Sequence, residues 1–256
     1  MLLINTRPAD RADELTQAVS AQGYRVENLP LLVLKKKPFS AHLKQLYQQL
    51  DQSQLIVVVS PTAVEIGMQY LQKANISLSS LSHIRWVAVG KSTAKALQYY
   101  GISAEIPQVE TSEGMLQLPV FQMLKSFRQV AFWRGEGGRQ LMMQQLIDQG
   151  VHLLNFILYD RQCPESATQK ILSIAHDIVQ DKQPVWVLIT SEASWLNWLS
   201  LIQPHAGLFQ DCHYLVLGER LEQILTIYQN QHQLSFNMIR LENLKASSIV
   251  QHLDAL

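Results

Sequence analysis

Short apolar runs alternate with amphipathic stretches along the whole chain. Residues 55–59, Leu-Ile-Val-Val-Val, are apolar at every position, as a strand buried on both faces of a parallel sheet requires. Similar runs predict strands at 2–5, 29–34, 86–89, 104–106, 130–133, 153–159, 185–189, 214–217 and 236–239. Between the runs the spacing is helical: Leu43, Leu46, Tyr47 and Leu50 share one face. Gly23, Gly101 and Gly150 stand where helices should end. Strict alternation of strand and helix predicts parallel α/β sheets.

The alternation contains a duplication. Arg7 and Arg134 each follow a strand and open a helix, 127 positions apart (134 − 7), and Gly23 and Gly150 repeat that offset (150 − 23). Ser60 with Ser191, Gly90 with Gly218, Ser112 with Ser247 and the two breaks Pro38 and Pro164 keep nearly the same spacing. Strands 55–59, 86–89, 104–106, 130–133 and 153–159 suffice for one doubly wound five-stranded sheet, and the other five runs for a second. One lobe then reads as a circular permutation of the other. Residues 1–35 with 165–256 form a discontinuous lobe and 39–160 the second, with crossings at 36–38 and 161–164. The run Lys35-Lys36-Lys37 before Pro38 reads as a solvated linker. Two adjacent crossings predict a hinge, and two lobes across a hinge predict a cleft.

In such sheets ligands bind beyond the carboxyl ends of the strands. The stretch 130–139, Val-Ala-Phe-Trp-Arg-Gly-Glu-Gly-Gly-Arg, is a strand running into a glycine-rich turn that opens a helix, where free N–H groups and the helix dipole favour an anion. Arg134 and Arg139 add guanidinium donors suited to carboxylate or phosphate. Other strand ends carry Arg7, Ser60, Pro61, Thr62, Gly90, Lys91, Ser92, Thr93, Thr111, Ser112, Thr190, Ser191, Gly218 and Arg220, with Glu113, Glu136 and Glu219 nearby. Singly, these hydroxyls are explained as helix caps. Together they suit a ligand bearing several carboxylates or phosphates.

Composition narrows the alternatives. Of 256 residues 47% are hydrophobic and 16% charged, which describes a globular chain with a sizeable core. Lysine plus arginine and aspartate plus glutamate are each 21, so no footprint for nucleic acid or an acidic membrane is present. Cys163 and Cys212 have neither CxxC spacing nor metal partners and read as packing residues of a reducing compartment. No run is long enough to span a bilayer, and no signal peptide is legible, which predicts a soluble cytoplasmic protein. Gly90-Lys91-Ser92 lacks the glycine a phosphate loop needs, Arg85 standing there instead. The Gly135–Gly138 turn is not GxGxxG, the eight histidines have no metal-binding spacing, and GxSxG is absent. Chemistry on such a frame would rest on positioning and electrostatics.

Several stretches, in this order, carry a resemblance: Thr6-Arg7-Pro8, Ser60-Pro61-Thr62-Ala63-Val64, the run 87–97 from Val87 to Leu97, then Pro107 followed by Thr111-Ser112-Glu113-Gly114-Met115-Leu116. Arg134-Gly135 with Gly138-Arg139, Tyr159-Asp160-Arg161 and Thr190-Ser191 complete the set. Across its whole length the chain resembles the uroporphyrinogen-III synthase family. The resemblance implies two flavodoxin-like α/β lobes joined by a two-segment β linker, and no cofactor. It implies an enzyme, a cyclising hydro-lyase, that takes the linear tetrapyrrole hydroxymethylbilane, expels its terminal hydroxyl, inverts the last ring through a spiro intermediate and closes the macrocycle. The family tyrosine that assists departure of the hydroxyl falls on Tyr159, and a cleft threonine on Thr93. Substrate contacts then fall on Arg7, Ser60, Pro61, Gly90, Ser92, Thr93, Arg134, Gly135, Ser191 and Gly218. A monomer is implied, with the upstream enzyme that makes hydroxymethylbilane as a candidate partner. Gly218-Glu219-Arg220-Leu221-Glu222 departs from the Gly-x-x-Thr-Ala run of many relatives, so Arg220 stands in for a hydroxyl beside a repelling Glu219. A non-catalytic two-lobed anion-binding protein and an inactive scaffolding relative are the competing readings.

Overall fold

The computed structural model of this chain describes every residue except 111, 123–126, 138–140, 182, 206–208, 210, 211 and 256; side chains at 112, 113, 122, 177, 179–181 and 205 are likewise outside the description. Thr111, Gly138 and Arg139 therefore lie outside the described residues, as do the side chains of Ser112 and Glu113. Two compact units are present: residues 1–33 with 161–256, and residues 34–160.

In the first unit, β1 (Leu2–Asn5), β2 (Arg25–Asn28), β8 (Val185–Ile189), β9 (Cys212–Leu217) and β10 (Met238–Leu241) form a sheet in the order β10-β9-β8-β1-β2, parallel throughout. Counted within the unit this is the order 2-1-3-4-5, the flavodoxin-like doubly wound arrangement, with its switch point between β1 and β8. Alternate residues feed opposite faces. Leu2, Ile4, Val185, Val187 and Ile189 pack into a core with Trp195, Trp198 and Leu225, whereas Leu3, Trp186 and Leu188 pack against Leu15, Val19 and Ile249.

The second unit holds β3 (Val33–Lys36), β4 (Leu55–Val58), β5 (Arg85–Ala88), β6 (Gln129–Gly135) and β7 (His152–Gln162) in the order β3-β7-β6-β4-β5. Leaving β3 aside, β7-β6-β4-β5 followed by the lone bridge from Val87 to Glu105 repeats 2-1-3-4-5, with the chain entering elsewhere. Here the switch point lies between β6 and β4. Ile56, Val58, Ala131 and Trp133 face a core with Tyr47, Tyr70 and Leu97, while Leu55, Val57, Val130 and Phe132 face Met115, Phe121, Met142 and Leu146.

Landmarks of the repeat share conformation. Gly23 and Gly150 end helices at φ +80° and +79°. Ser60 and Ser191 cap the helices Pro61–Lys73 and Glu192–Ile202 with φ/ψ of −162°/158° and −157°/156°, each accepting an N–H three residues on at 3.1 Å.

Three expectations are corrected. Residues 29–34 are not one strand: Leu29 and Leu31 are buried beside β1, but Pro30 has no N–H to give a ladder, pairing with β1 falls on the more polar stretch Arg25–Asn28, and only Val33 and Leu34 are extended, as the start of β3. Residues 104–106 make only the bridge at Glu105. The lysine run is exposed at Lys35 and Lys36, as a solvated linker would be, but these two are ordered as strand. They belong to β3, which hydrogen-bonds β7. Because β7 runs through Asp160 into Arg161 and Gln162, the two connections between units are neighbouring β segments.

Candidate active site

At the switch point of the second unit, β6 ends in Arg134 and Gly135, and β4 leads through Val59 to Ser60 and the helix Pro61–Lys73. The register between β6 and β7 slips between Arg134 and Gly135, which sets Gly135 opposite Tyr159. A Cβ on Gly135 would lie 2.3 Å from the Tyr159 ring, so glycine is required for the ring to cross this backbone. Tyr159 is 1% exposed, and its hydroxyl sits 2.9 Å from Ser60 Oγ. Ser60 Oγ also accepts the Ala63 N–H. The pair is thus tied to the first turn of a helix, with Pro61 at its start, where an N–H is not needed. Other buried phenols serve packing: Tyr47 donates to the Gly67 carbonyl and Tyr214 accepts from the Trp198 indole, and burial pushes both phenols up.

The loop after β6 is held from two sides. Lys37 Nζ lies 2.9 Å from both Glu136 and Asp160, and those carboxylates, Asp160 foremost, raise the lysine above its ordinary value. The Glu136 N–H donates to the Tyr159 carbonyl. Arg134, expected to face a carboxylate, is turned inward here. It is 6% exposed, and its guanidinium donates to the carbonyls of Gly135 and Gly137 and toward Met143 Sδ. It shapes the glycine-rich turn instead of offering an open fork to a carboxylate.

Gly90 precedes the helix Lys91–Tyr99, and this N-terminus already meets an anion: Glu110 accepts the Lys91 N–H at 2.9 Å. A Cβ on Gly90 would lie 2.3 Å from the Glu110 carboxylate. Ser92 is exposed, but Thr93 is buried, so of the two hydroxyls only Ser92 is open to a ligand.

The switch point of the first unit is organised by a residue that pattern did not single out. Asn5, fully buried, donates to the Ala12 carbonyl, Thr16 and Asn28 and accepts the Arg7 N–H. Buried Thr6 donates to the Leu188 carbonyl across the switch point. Arg7 is half-buried, and among the described residues its guanidinium has no hydrogen-bonding or ionic partner. Ser191 and Ser194 form a reciprocal capping box. Gly218 opens its helix at φ +75°, and Arg220 pairs with Glu192 at 2.5 Å, so neither charge is spare. Among the described residues no group of three His, Cys, Asp or Glu could hold a metal, and no helix is long and apolar enough to cross a membrane.

These features define a class: an α/β protein of two doubly wound units, one a permutation of the other, each with capped helix N-termini at its switch point. The family model for uroporphyrinogen-III synthase HemD matches residues 13–233, and the chain belongs to the uroporphyrinogen-III synthase family. The uroporphyrinogen-III synthase of Escherichia coli K12 is 28% identical over 231 residues, covering 88% of this chain and 90% of its own. That of Proteus mirabilis is 27% identical over 152 residues, 59% of this chain and 75% of its own. Crystal structures share the fold. A mutant uroporphyrinogen III synthase of Thermus thermophilus gives a TM-score of 0.66 at 14% identity, covering 100% of this chain and 98% of the other. The enzyme of Helicobacter pylori 26695 gives 0.59 at 12% identity, with 100% and 99% covered.

Proposed function

We propose that this chain cyclises hydroxymethylbilane to uroporphyrinogen III, expelling the terminal hydroxyl as water and inverting the last ring through a spiro intermediate. Family membership supports the reaction, and the observation that carries its assignment to residues is the hydroxyl pair of Tyr159 and Ser60 at the start of a helix. A phenol is a weak acid at neutral pH, so the pair assists by a placed hydrogen bond to the departing oxygen more than by full proton donation. Each unit offers carboxylate donors that need no cofactor: Arg7 and the helix starts behind Ser191 and at Gly218 in the first, and Ser92 with the helix start behind Ser60 in the second, whereas at Gly90 the Lys91 N–H is already held by Glu110. Pro61 and Gly135 fix the backbone around the pair, Arg134 holds the turn, and Thr93 is buried next to the exposed Ser92. In this reading the enzyme is a cytoplasmic monomer that takes its substrate from the enzyme upstream.

The test is direct. The protein is added to freshly made hydroxymethylbilane, the products are oxidised, and the porphyrin isomers are separated. Type III product is the expected result. Only spontaneous type I product would favour a non-catalytic relative.

A further inference from the structure

Tyr159 is 1% exposed, whereas Ser60 is half-buried, so a ligand approaching the pair meets the serine before the phenol. A serine hydroxyl has two acceptor sites and one proton. One acceptor site is filled by the Ala63 N–H at 3.1 Å, and Tyr159 Oη lies 2.9 Å away. When the phenol, the stronger acid of the two, donates to Ser60, the serine accepts twice, and its remaining hydrogen-bonding capacity is its own proton. Two donors feeding one oxygen polarise that proton, and the positive end of the helix Pro61–Lys73 adds to the effect. The Tyr159 ring is pinned across Gly135, which keeps the phenol behind the serine.

We infer that Ser60 is the hydroxyl that touches the departing oxygen, and that Tyr159 is a positioning residue acting through it. This rests on the reaction proposed above. It deepens that reading by moving the point of contact from a buried phenol to a half-buried serine.

The experiment compares Ser60→Ala, Ser60→Gly, Ser60→Thr, Tyr159→Phe and the Ser60→Ala/Tyr159→Phe double variant in the isomer assay, with kcat and KM for hydroxymethylbilane measured separately. Glycine replaces a serine cap with little loss of helix stability, so Ser60→Gly decides the matter if Ser60→Ala folds poorly. Loss of the serine donor should lower kcat about 100-fold, the scale of removing one preorganised donor, with KM little changed. Ser60→Thr should restore kcat to within about 3-fold of the parent chain, since threonine keeps both cap and hydroxyl. Tyr159→Phe should lower kcat less than Ser60→Gly, and the double variant should be no slower than Ser60→Ala alone. If Ser60→Gly and Ser60→Ala keep the parent kcat while Tyr159→Phe is slow, the phenol touches substrate itself and the inference fails, though the proposed reaction stands. Multiplicative losses in the double variant would likewise overturn it. A parent chain yielding only type I product would remove the reaction first.

Discussion

Gly135 shows how one missing methyl sets a site. The Tyr159 ring occupies the space its Cβ would take, at 2.3 Å from one ring carbon and 2.5 Å from the carbon that bears the hydroxyl. Gly135→Ala must push the ring or the strand aside, an overpacking cost of about 1–3 kcal/mol. The variant should therefore melt earlier and also lose turnover, because the shift falls on the hydroxyl bonded to Ser60. Unchanged melting and turnover would show that the ring has room to move and that the contact has no bearing on the reaction. Gly135 and Tyr159 were both legible as site candidates, one from the turn and one from the family resemblance. Their contact was not, because they pair across two strands through a register slip that no local spacing encodes. Ser60 lies 99 positions from Tyr159 for the same reason.

At the scale of elements, the repeat makes paired predictions. Gly23 and Gly150 hold φ of +80° and +79° with nothing within 4 Å of where a Cβ would stand, so alanine at either would suffer from backbone strain alone. Gly23→Ala and Gly150→Ala should each cost about 1 kcal/mol, and nearly equally, when stability is followed by denaturant unfolding. A large difference between them would mean the two turns are not equivalent. The Lys37 ion pairs belong to the same scale, joining the residue after β3, the turn after β6 and the end of β7. Because its folded-state pKa is raised above the ordinary 10.5, this lysine adds stability in full below about that pH and loses it as pH rises through the raised value. The stability gap between the parent chain and Lys37→Met should hold from about pH 7 to 10 and close above it; a gap independent of pH would assign the lysine no role as a charge. β2 was not legible, and of β3 only Val33 and Leu34 fell within an expected strand, for one physical cause. Both are edge strands carrying charged residues, Arg25 and Glu27 in one, Lys35 and Lys36 in the other, and a search for continuous apolar runs finds only strands buried on both faces. Glu110, which meets the helix at Lys91, was missed because nineteen positions separate the partners and one glutamate in a loop carries no pattern.

For the whole molecule, the steady offset between landmarks was the most informative signal in the sequence, since it survives where individual motifs diverge. It corresponds to two sheets of one strand order, entered at different points. The permutation puts Arg7 beside Ser191 in chain role, and Arg134 beside Ser60, at the two switch points. The roles have since diverged: Arg134 is turned into its own loop, while among the described residues Arg7 keeps its guanidinium unengaged. A cofactor-free reaction on such a frame depends on backbone and side-chain donors alone, and the most direct measurement is the isomer ratio from hydroxymethylbilane with protein stripped by a chelator. The account predicts type III product at an undiminished rate. Type I product alone, or activity restored only by adding a metal, would contradict it.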